Sequence, residues 1–375
     1  MAGNSHSQVP SPKQRPALLK ILLAAQERIK QRATEENIEE PPFLLQYAQA
    51  ILFARTVSII QGQNGSHKSR IVALMAAVIL AGPDAVCETL GFTRAPGRYG
   101  IVYIDTERNL SSEYPAAIQR LKLWAGYRRE QIPANLWHTS LIGITNRAER
   151  FEALTAYLEH VRTEAQGMHL VVIIDIITDC IEDFNDSRDS LQFVDMLNES
   201  INTYDVTFIC VIHENPGTAK ARGHLGTEII NKGGTALQIG YIKAAGNTAT
   251  DVLELRYVKR RHGKPGLTFH ARYDETTQQF TSATLAQVTE ARAARQKVAT
   301  PDQLPAALLV ALAQPAPQQQ VVAALCETLK AGERTIRGRL KATVGTTFPN
   351  REGQLVRLET AKLGTKTLYQ LVPAG

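Results

Sequence analysis

Lys68 and Ser69 close a short glycine-bearing loop in the stretch TVSIIQGQNGSHKS, which runs from Thr56 to Ser69 of this 375-residue chain. Residues of these types at this spacing suit phosphate chemistry. Backbone N–H groups of such a loop wrap phosphate oxygens, a lysine ammonium reaches the β and γ oxygens, and a serine hydroxyl holds Mg²⁺. The candidate cradle is Gly62, Gln63, Asn64, Gly65, Ser66, His67, Lys68, Ser69 and Arg70, with Ser69 as a metal ligand. His67 stands where the pattern G-x-x-x-x-G-K-[ST] has its second glycine. A glycine-rich turn before any helix would read similarly, so the other chemistry-bearing residues must decide.

Four further groups could serve phosphoryl transfer. Asp175 ends the apolar run LVVIID, where a strand-end carboxylate can hold Mg²⁺ beside a phosphate loop; any buried strand closing in a turn would also read this way. Glu107 follows the strand GIVYID and could orient and deprotonate a water, or be an exposed loop glutamate beside Asp105 and Arg108. His213 follows TFICVIH directly and could sense the γ-phosphate, or merely cap a strand end. Lys259 and Arg261 lie two apart in YVKRRHGKPG, on one side of a strand, so both could reach a phosphate on a neighbouring copy; a solvated hairpin tip is the plainer reading.

These residues need strands that end at one edge of a sheet. Val57, Ile59 and Ile60 read as a buried strand, and 71–81 as the helix after the loop. Downstream, 97–105, 136–142, 170–175 and 207–213 read as strands, alternating with helices over 111–130, 147–164 and 190–204, which predicts a parallel sheet covered on both faces. After Thr235, TALQIGYIK, DVLELRYVKR and LTFHARYD follow closely and predict antiparallel strands at one edge. The stretch 211–228 reads as a polar, mobile loop after His213, and its Arg222 and His224 are candidate DNA contacts.

Beyond the core, ALLKILLAAQERIKQRA predicts a leader helix after an unordered tail at residues 1–16. The end of the chain reads as helix, turn, helix and hairpin, a winged helix-turn-helix rich in basic residues. Arg334, Arg337, Arg339, Lys341, Lys362 and Lys366 are its candidate DNA contacts, although many winged helices bind protein. A net charge of +6 permits a nucleic-acid partner without requiring one. The four cysteines have no C-x-x-C spacing, which argues against a thiolate metal site and for small core residues. No apolar h-region opens the chain and no run approaches a membrane span, so a cytoplasmic protein with no membrane partner is expected.

Taken together, the loop ending in Lys68-Ser69, Glu107, Asp175, His213 and the segment KRRHG before LTFHARYD resemble the RecA-fold ATPases of the RepA and DnaB replicative helicase group. DFND, HENPG and ARGHLGTE are most similar to the AAA-family ATPases of plasmids and mobilisable elements. The resemblance spans about Pro42 to Phe280. It implies ATP and Mg²⁺ as cofactors, Glu107 as catalytic base, Asp175 in the metal shell, His213 as sensor, Lys259 and Arg261 acting in trans, and a homo-oligomer, a hexamer, on single- or double-stranded DNA. The expected fold class is α/β, a RecA-like P-loop core with a mostly parallel sheet flanked by helices and antiparallel edge strands, plus a small C-terminal winged helix domain. The expected organisation is a tail and leader helix over 1–40, the ATPase domain over 41–284, a linker over 285–304 and the winged helix over 305–375. The function expected is a ring-forming, DNA-associated ATPase, possible as a helicase, in replication or maintenance of a mobile element. The alternative is a DNA-binding regulator or loader that uses ATP as an oligomerisation switch with little turnover, which His67 in the loop and the terminal winged helix both favour.

Overall fold

The computed structural model describes residues 15–36, 41–81, 87–244, 248–261, 263–296, 299, 302–364 and 366–374. The unordered tail expected over residues 1–16 thus lies almost wholly outside the described residues. The chain divides into two compact units, Met1–Pro41 and Pro42–Gly375. The first holds helix α1 (Arg15–Arg32), with Lys30 and Arg32 in its last turn, where cations suit the negative end of the helix dipole.

The second unit opens with β1 (Pro42–Gln46) and β2 (Gln49–Phe53), then β3 (Val57–Gly62), helix α2 (Lys68–Ala81), β4 (Phe92–Arg94), β5 (Tyr99–Asp105), α3 (Glu113–Trp124) and β6 (Leu136–Ser140). It continues through α4 (Arg150–Glu164), β7 (His169–Asp175), α5 (Ser187–Tyr204), β8 (Val206–His213), α6 (Gly223–Lys232), β9 (Thr235–Lys243), β10 (Ala249–Arg260), β11 (Thr268–Asp274) and β12 (Gln279–Ser282). A nine-stranded sheet has the order β12-β11-β10-β9-β3-β8-β7-β5-β6. From β9 through β6 all neighbours are parallel, and β10, β11 and β12 extend the far edge antiparallel. TALQIGYIK, expected among the antiparallel strands, therefore pairs parallel to β3 on one side and antiparallel to β10 on the other.

The sequence explains the layering. All seven residues of β5 and all but the first of β7 are buried, as strands covered on both faces require. Helix α2 is apolar nearly all round and sinks into one core cluster. The helices α4, α5 and α6 cover the other face through Leu154, Leu158, Phe193, Leu197 and Ile229. Asp186 caps α5 by accepting from the N–H groups of Arg188 and Asp189. This is an α/β fold in which the loop-bearing strand β3 sits between β9 and β8, with one strand separating it from β7.

A small sheet in the order β2-β1-β4, which sequence patterning did not indicate, packs beside α2. Its buried Gln46 donates to the Leu90 carbonyl (3.0 Å) and accepts from the Tyr257 hydroxyl (2.7 Å), so it is fastened to β10. Within the stretch expected to be a linker, residues 285–296 form helix α7 (Leu285–Gln296), whose Val288 and Ala291 pack with Ile242 and Val252 of the sheet edge. The rest comprises α8 (Leu304–Ala311), β13 (Ala316–Pro317), α9 (Gln318–Leu329), α10 (Glu333–Thr343), β14 (Thr347–Pro349), β15 (Leu355–Leu363) and β16 (Lys366–Pro373). Its strands form one sheet, β13-β16-β15-β14, over a core of its own that includes Leu308, Val322, Leu325, Ile336, Leu340 and Leu358. Among the described residues no helix is long and apolar enough to cross a membrane.

Candidate functional site

Parallel register brings four strand ends together. Gly62 pairs with His213, Asp175 with Val211, and Asp105 with Asp175, so the loop after β3, His213, Asp175 and the turn after β5 all meet at the carboxyl edge of the sheet. The loop, His213 and the turn after β5 line a cleft of about 510 Å³ together with α3 through Glu113, Ala116 and Arg120, and Asp175 is buried beside it.

The loop is shaped for close approach. A Cβ on Gly62 would run into the Ile239 carbonyl and the Ser66 hydroxyl, so only glycine fits there. Gly65 takes φ +74° and His67 takes φ +61°. His67 thus adopts the left-handed conformation that a glycine would provide at no steric cost, and its side chain is held from several directions. Arg70 donates to Nδ1 (2.7 Å), which places the ring proton on Nε2, 2.5 Å from the Tyr241 hydroxyl. The ring lies 4.7 Å from that of Tyr273. Burial, with Arg70 alongside, drives the His67 pKa down to about 4, so the imidazole is neutral at physiological pH. Arg70 also pairs with Glu275 and lies over the Tyr273 ring, 4.3 Å from its centroid.

Lys68, 5% exposed, donates to the carbonyl of Gln63 (2.9 Å). Burial lowers its pKa, against the pull of Asp175, Glu107 and Glu214. The Ser69 hydroxyl donates to Asp175 Oδ1 (2.8 Å), so the two expected metal ligands touch. The other oxygen, Asp175 Oδ2, accepts from Tyr103 (2.9 Å) and from Arg108 (2.7 Å). Arg108 bridges to Asp105 as well (2.6 Å), and Asp105 accepts the backbone N–H groups of Glu107 and Arg108, which shapes the turn. Burial raises the Asp105 pKa to about 6 despite Arg108. Glu107, half-exposed above this turn, lies 3.6 Å from His213 Nε2. The imidazole holds its carboxyl below the ordinary range, as the carboxylate a base must be.

The donor set fits a magnesium nucleotide. Ser66 offers a buried hydroxyl with no protein partner, Lys68 an ammonium, and Ser69 with Asp175 a hydroxyl–carboxylate pair of the kind that holds Mg²⁺. His213 likewise keeps a buried, unpaired Nδ1.

Two groups fall elsewhere. Arg260 pairs with Thr235, and Thr235 with Ser58, so Lys259 and Arg261 sit beside the first residues of β3, at the edge of the sheet opposite the cleft. There Lys259 donates to the carbonyls of Ile230 (2.6 Å) and Asn231 (2.8 Å), and Arg261 to that of Lys232 (3.1 Å), at the end of α6. The loop expected over 211–228 is shorter than its composition suggests, because α6 begins at Gly223, and residues 214–221 fold back through a Glu214–Ala221 bridge. Arg222 and His224 are exposed at the start of α6, with the Arg222 guanidinium 4.9 Å from the Phe184 ring centroid. Arg334, Arg337, Arg339 and Lys341 are exposed on α10 opposite the buried Ile336 and Leu340, and Arg337 pairs with Glu333 (2.6 Å). Lys362 is exposed on β15; Lys366 begins β16, and its side chain lies outside the described ones.

Sequence reasoning passed over Tyr103 and Arg108 as site groups, and also Glu214. Tyr103 looked like one more apolar strand residue, and Arg108 like a loop charge. No sequence signal marked Arg108, because its place depends on the register that sets Asp105 beside Asp175.

The AAA domain family matches residues 25–219, just over half of the chain. That span contains the loop, Glu107, Asp175 and His213 and ends before Arg222, Lys259 and Arg261. No curated protein matches. Among solved structures, the crystal structure of the RadB recombinase is similar, at 13% sequence identity over 62% of this chain and 92% of that chain, with a TM-score of 0.42.

Proposed function

Because this chain belongs to the AAA domain family, we propose that it is a Mg²⁺-dependent ATP hydrolase that works on DNA as a ring of copies, a hexamer, in replication or maintenance of a mobile element. The observation that carries the reading is the Ser69–Asp175 contact of 2.8 Å at the mouth of the loop, with Glu107 poised across the cleft. Bound Mg²⁺–ATP supplies the transferable γ-phosphoryl group. The loop N–H groups and Lys68 bind its phosphates, Ser69 and Asp175 hold the metal shell, and Arg108 with Tyr103 keeps Asp175 aimed. Glu107 takes the proton of the attacking water, and His213 touches Glu107 and reports the state of the phosphate. Lys259 and Arg261 sit too far from their own cleft to serve it, which supports their action on a neighbour's nucleotide. The basic face of α10, in a helix–helix–hairpin segment with its own core, supports a winged helix over 305–375 that contacts DNA.

Glu107→Gln tests the reading. Phosphate release should fall by about 10²–10⁴-fold, while a fluorescent ATP analogue still binds. Unchanged turnover removes Glu107 from the mechanism.

The left-handed His67 favours a second reading, in which ATP sets the oligomeric state with slow turnover. Turnover measured with and without single-stranded DNA separates the two: strong stimulation supports the hydrolase working on DNA, flat slow turnover the switch.

A further inference from the structure

Beside the P-loop, on the side away from Glu107, a buried carboxylate is ringed by glutamine amides. Glu214, 7% exposed, accepts from Gln61 (2.9 Å), Gln238 (2.6 Å) and Gln63 (3.3 Å). Glu214 is also the base of a tongue, residues 214–221, closed by its bridge to Ala221 and by the Asn215 N–H on the Lys220 carbonyl (2.9 Å). Gln61, near the end of β3, and Gln63 of the loop both reach into this tongue. Gln61 donates to the Ala219 carbonyl (3.0 Å), and Gln63 to those of Asn215 (3.0 Å) and Thr218 (2.8 Å).

Gln63 is attached at both ends. Its side-chain amide holds the tongue, and its main-chain carbonyl holds the Lys68 ammonium at 2.9 Å. Phosphate oxygens in the cradle compete with that carbonyl for the three N–H donors of the Lys68 ammonium. Loosening of that bond lets the Gln63 peptide shift, and the amide carries the shift to the tongue.

We propose that Gln63 is a positioning residue that couples nucleotide occupancy to the conformation of the 214–221 tongue, with Glu214 as the anchor that keeps its amide aimed. The coupling rests on the ATP reading above and runs both ways, since a linkage between two sites is reciprocal. A ligand that displaces the tongue therefore changes how readily Lys68 leaves its carbonyl.

Hydrogen exchange of the full-length chain, with and without a saturating non-hydrolysable ATP analogue and Mg²⁺, tests this. In the parent chain, bound analogue should change exchange at the 215–221 amides severalfold. Gln63→Ala, and the isosteric Gln63→Glu that presents acceptors to acceptors, should speed nucleotide-free exchange there by about tenfold, the equivalent of losing two or so hydrogen bonds. In both variants the response to analogue should vanish. Should both respond as the parent does, or should the parent bind analogue without any change at 215–221, the coupling is overturned and the ATP reading survives. Should the parent fail to bind analogue in a parallel fluorescence titration, both fall together.

Discussion

His67 carries a steric cost of about 1–2 kcal/mol, since a side chain in the left-handed region crowds its own carbonyl. Its ring contacts with Tyr241, Tyr273 and Arg70 offset that cost and fix the start of α2. His67→Gly should remove strain and loosen the loop together, and we expect turnover to rise severalfold in a phosphate-release assay. The substitution also changes acid stability. With the folded pKa lowered from 6.5 to about 4 by burial and by Arg70, the unfolded chain binds the extra proton between those values. Stability from this group is therefore full above about pH 6.5 and is lost as pH falls towards 4. Because the ring is part-exposed, solvent screening reduces the effect to about 1–2 kcal/mol. Urea unfolding of the parent should lose that much more than His67→Gly between pH 7 and pH 4, a comparison that cancels groups common to both chains.

Helix α10 shows what patterning reads well. Ile336 and Leu340, one turn apart, are buried, and that spacing alone turns Arg334, Arg339 and Lys341 to solvent. Replacing those three by alanine should weaken DNA binding and reduce the slope of log affinity against log salt by about 2–3, measured by fluorescence anisotropy at several salt concentrations. An unchanged slope would take α10 out of the DNA contact. The same logic made β5, β7 and β8 legible, because strands covered on both faces are written as unbroken apolar runs ending in a polar residue. Asp175, His213 and the loop before Lys68 were readable for that reason. What stayed hidden depends on register between distant strands. Arg108 matters because β5 and β7 align Asp105 with Asp175, and Glu214 because Gln238, on β9, faces Gln61 across the pair β3–β9. The small sheet of β1, β2 and β4 was likewise invisible, since five- and three-residue strands leave little periodicity.

Across the molecule, the cleft and the pair Lys259–Arg261 occupy opposite edges of one sheet. That arrangement suits an assembly in which each copy lends its cations to the next, and chain mixing tests it. Arg261→Ala and Lys68→Ala chains should each be inactive alone, the first keeping analogue binding. Mixed, they should regain measurable turnover, because an intact cleft then meets an intact arginine. No recovery in mixtures shown to co-assemble would assign Arg261 to its own chain, as a cap on α6.

The place of β3 between β8 and β9 also governs how the protein is made. Gly62 finds its partner in His213 and Gln61 in Gln238, so the cradle is written early and completed late. While the chain is being translated, the loop emerges with neither neighbour. At about 5–20 residues per second it waits roughly ten to thirty-five seconds for the end of β9 at Lys243. The cradle therefore closes only after β9 is made, and through that interval the apolar strand β3 stays without the sheet neighbours that bury it in the finished fold.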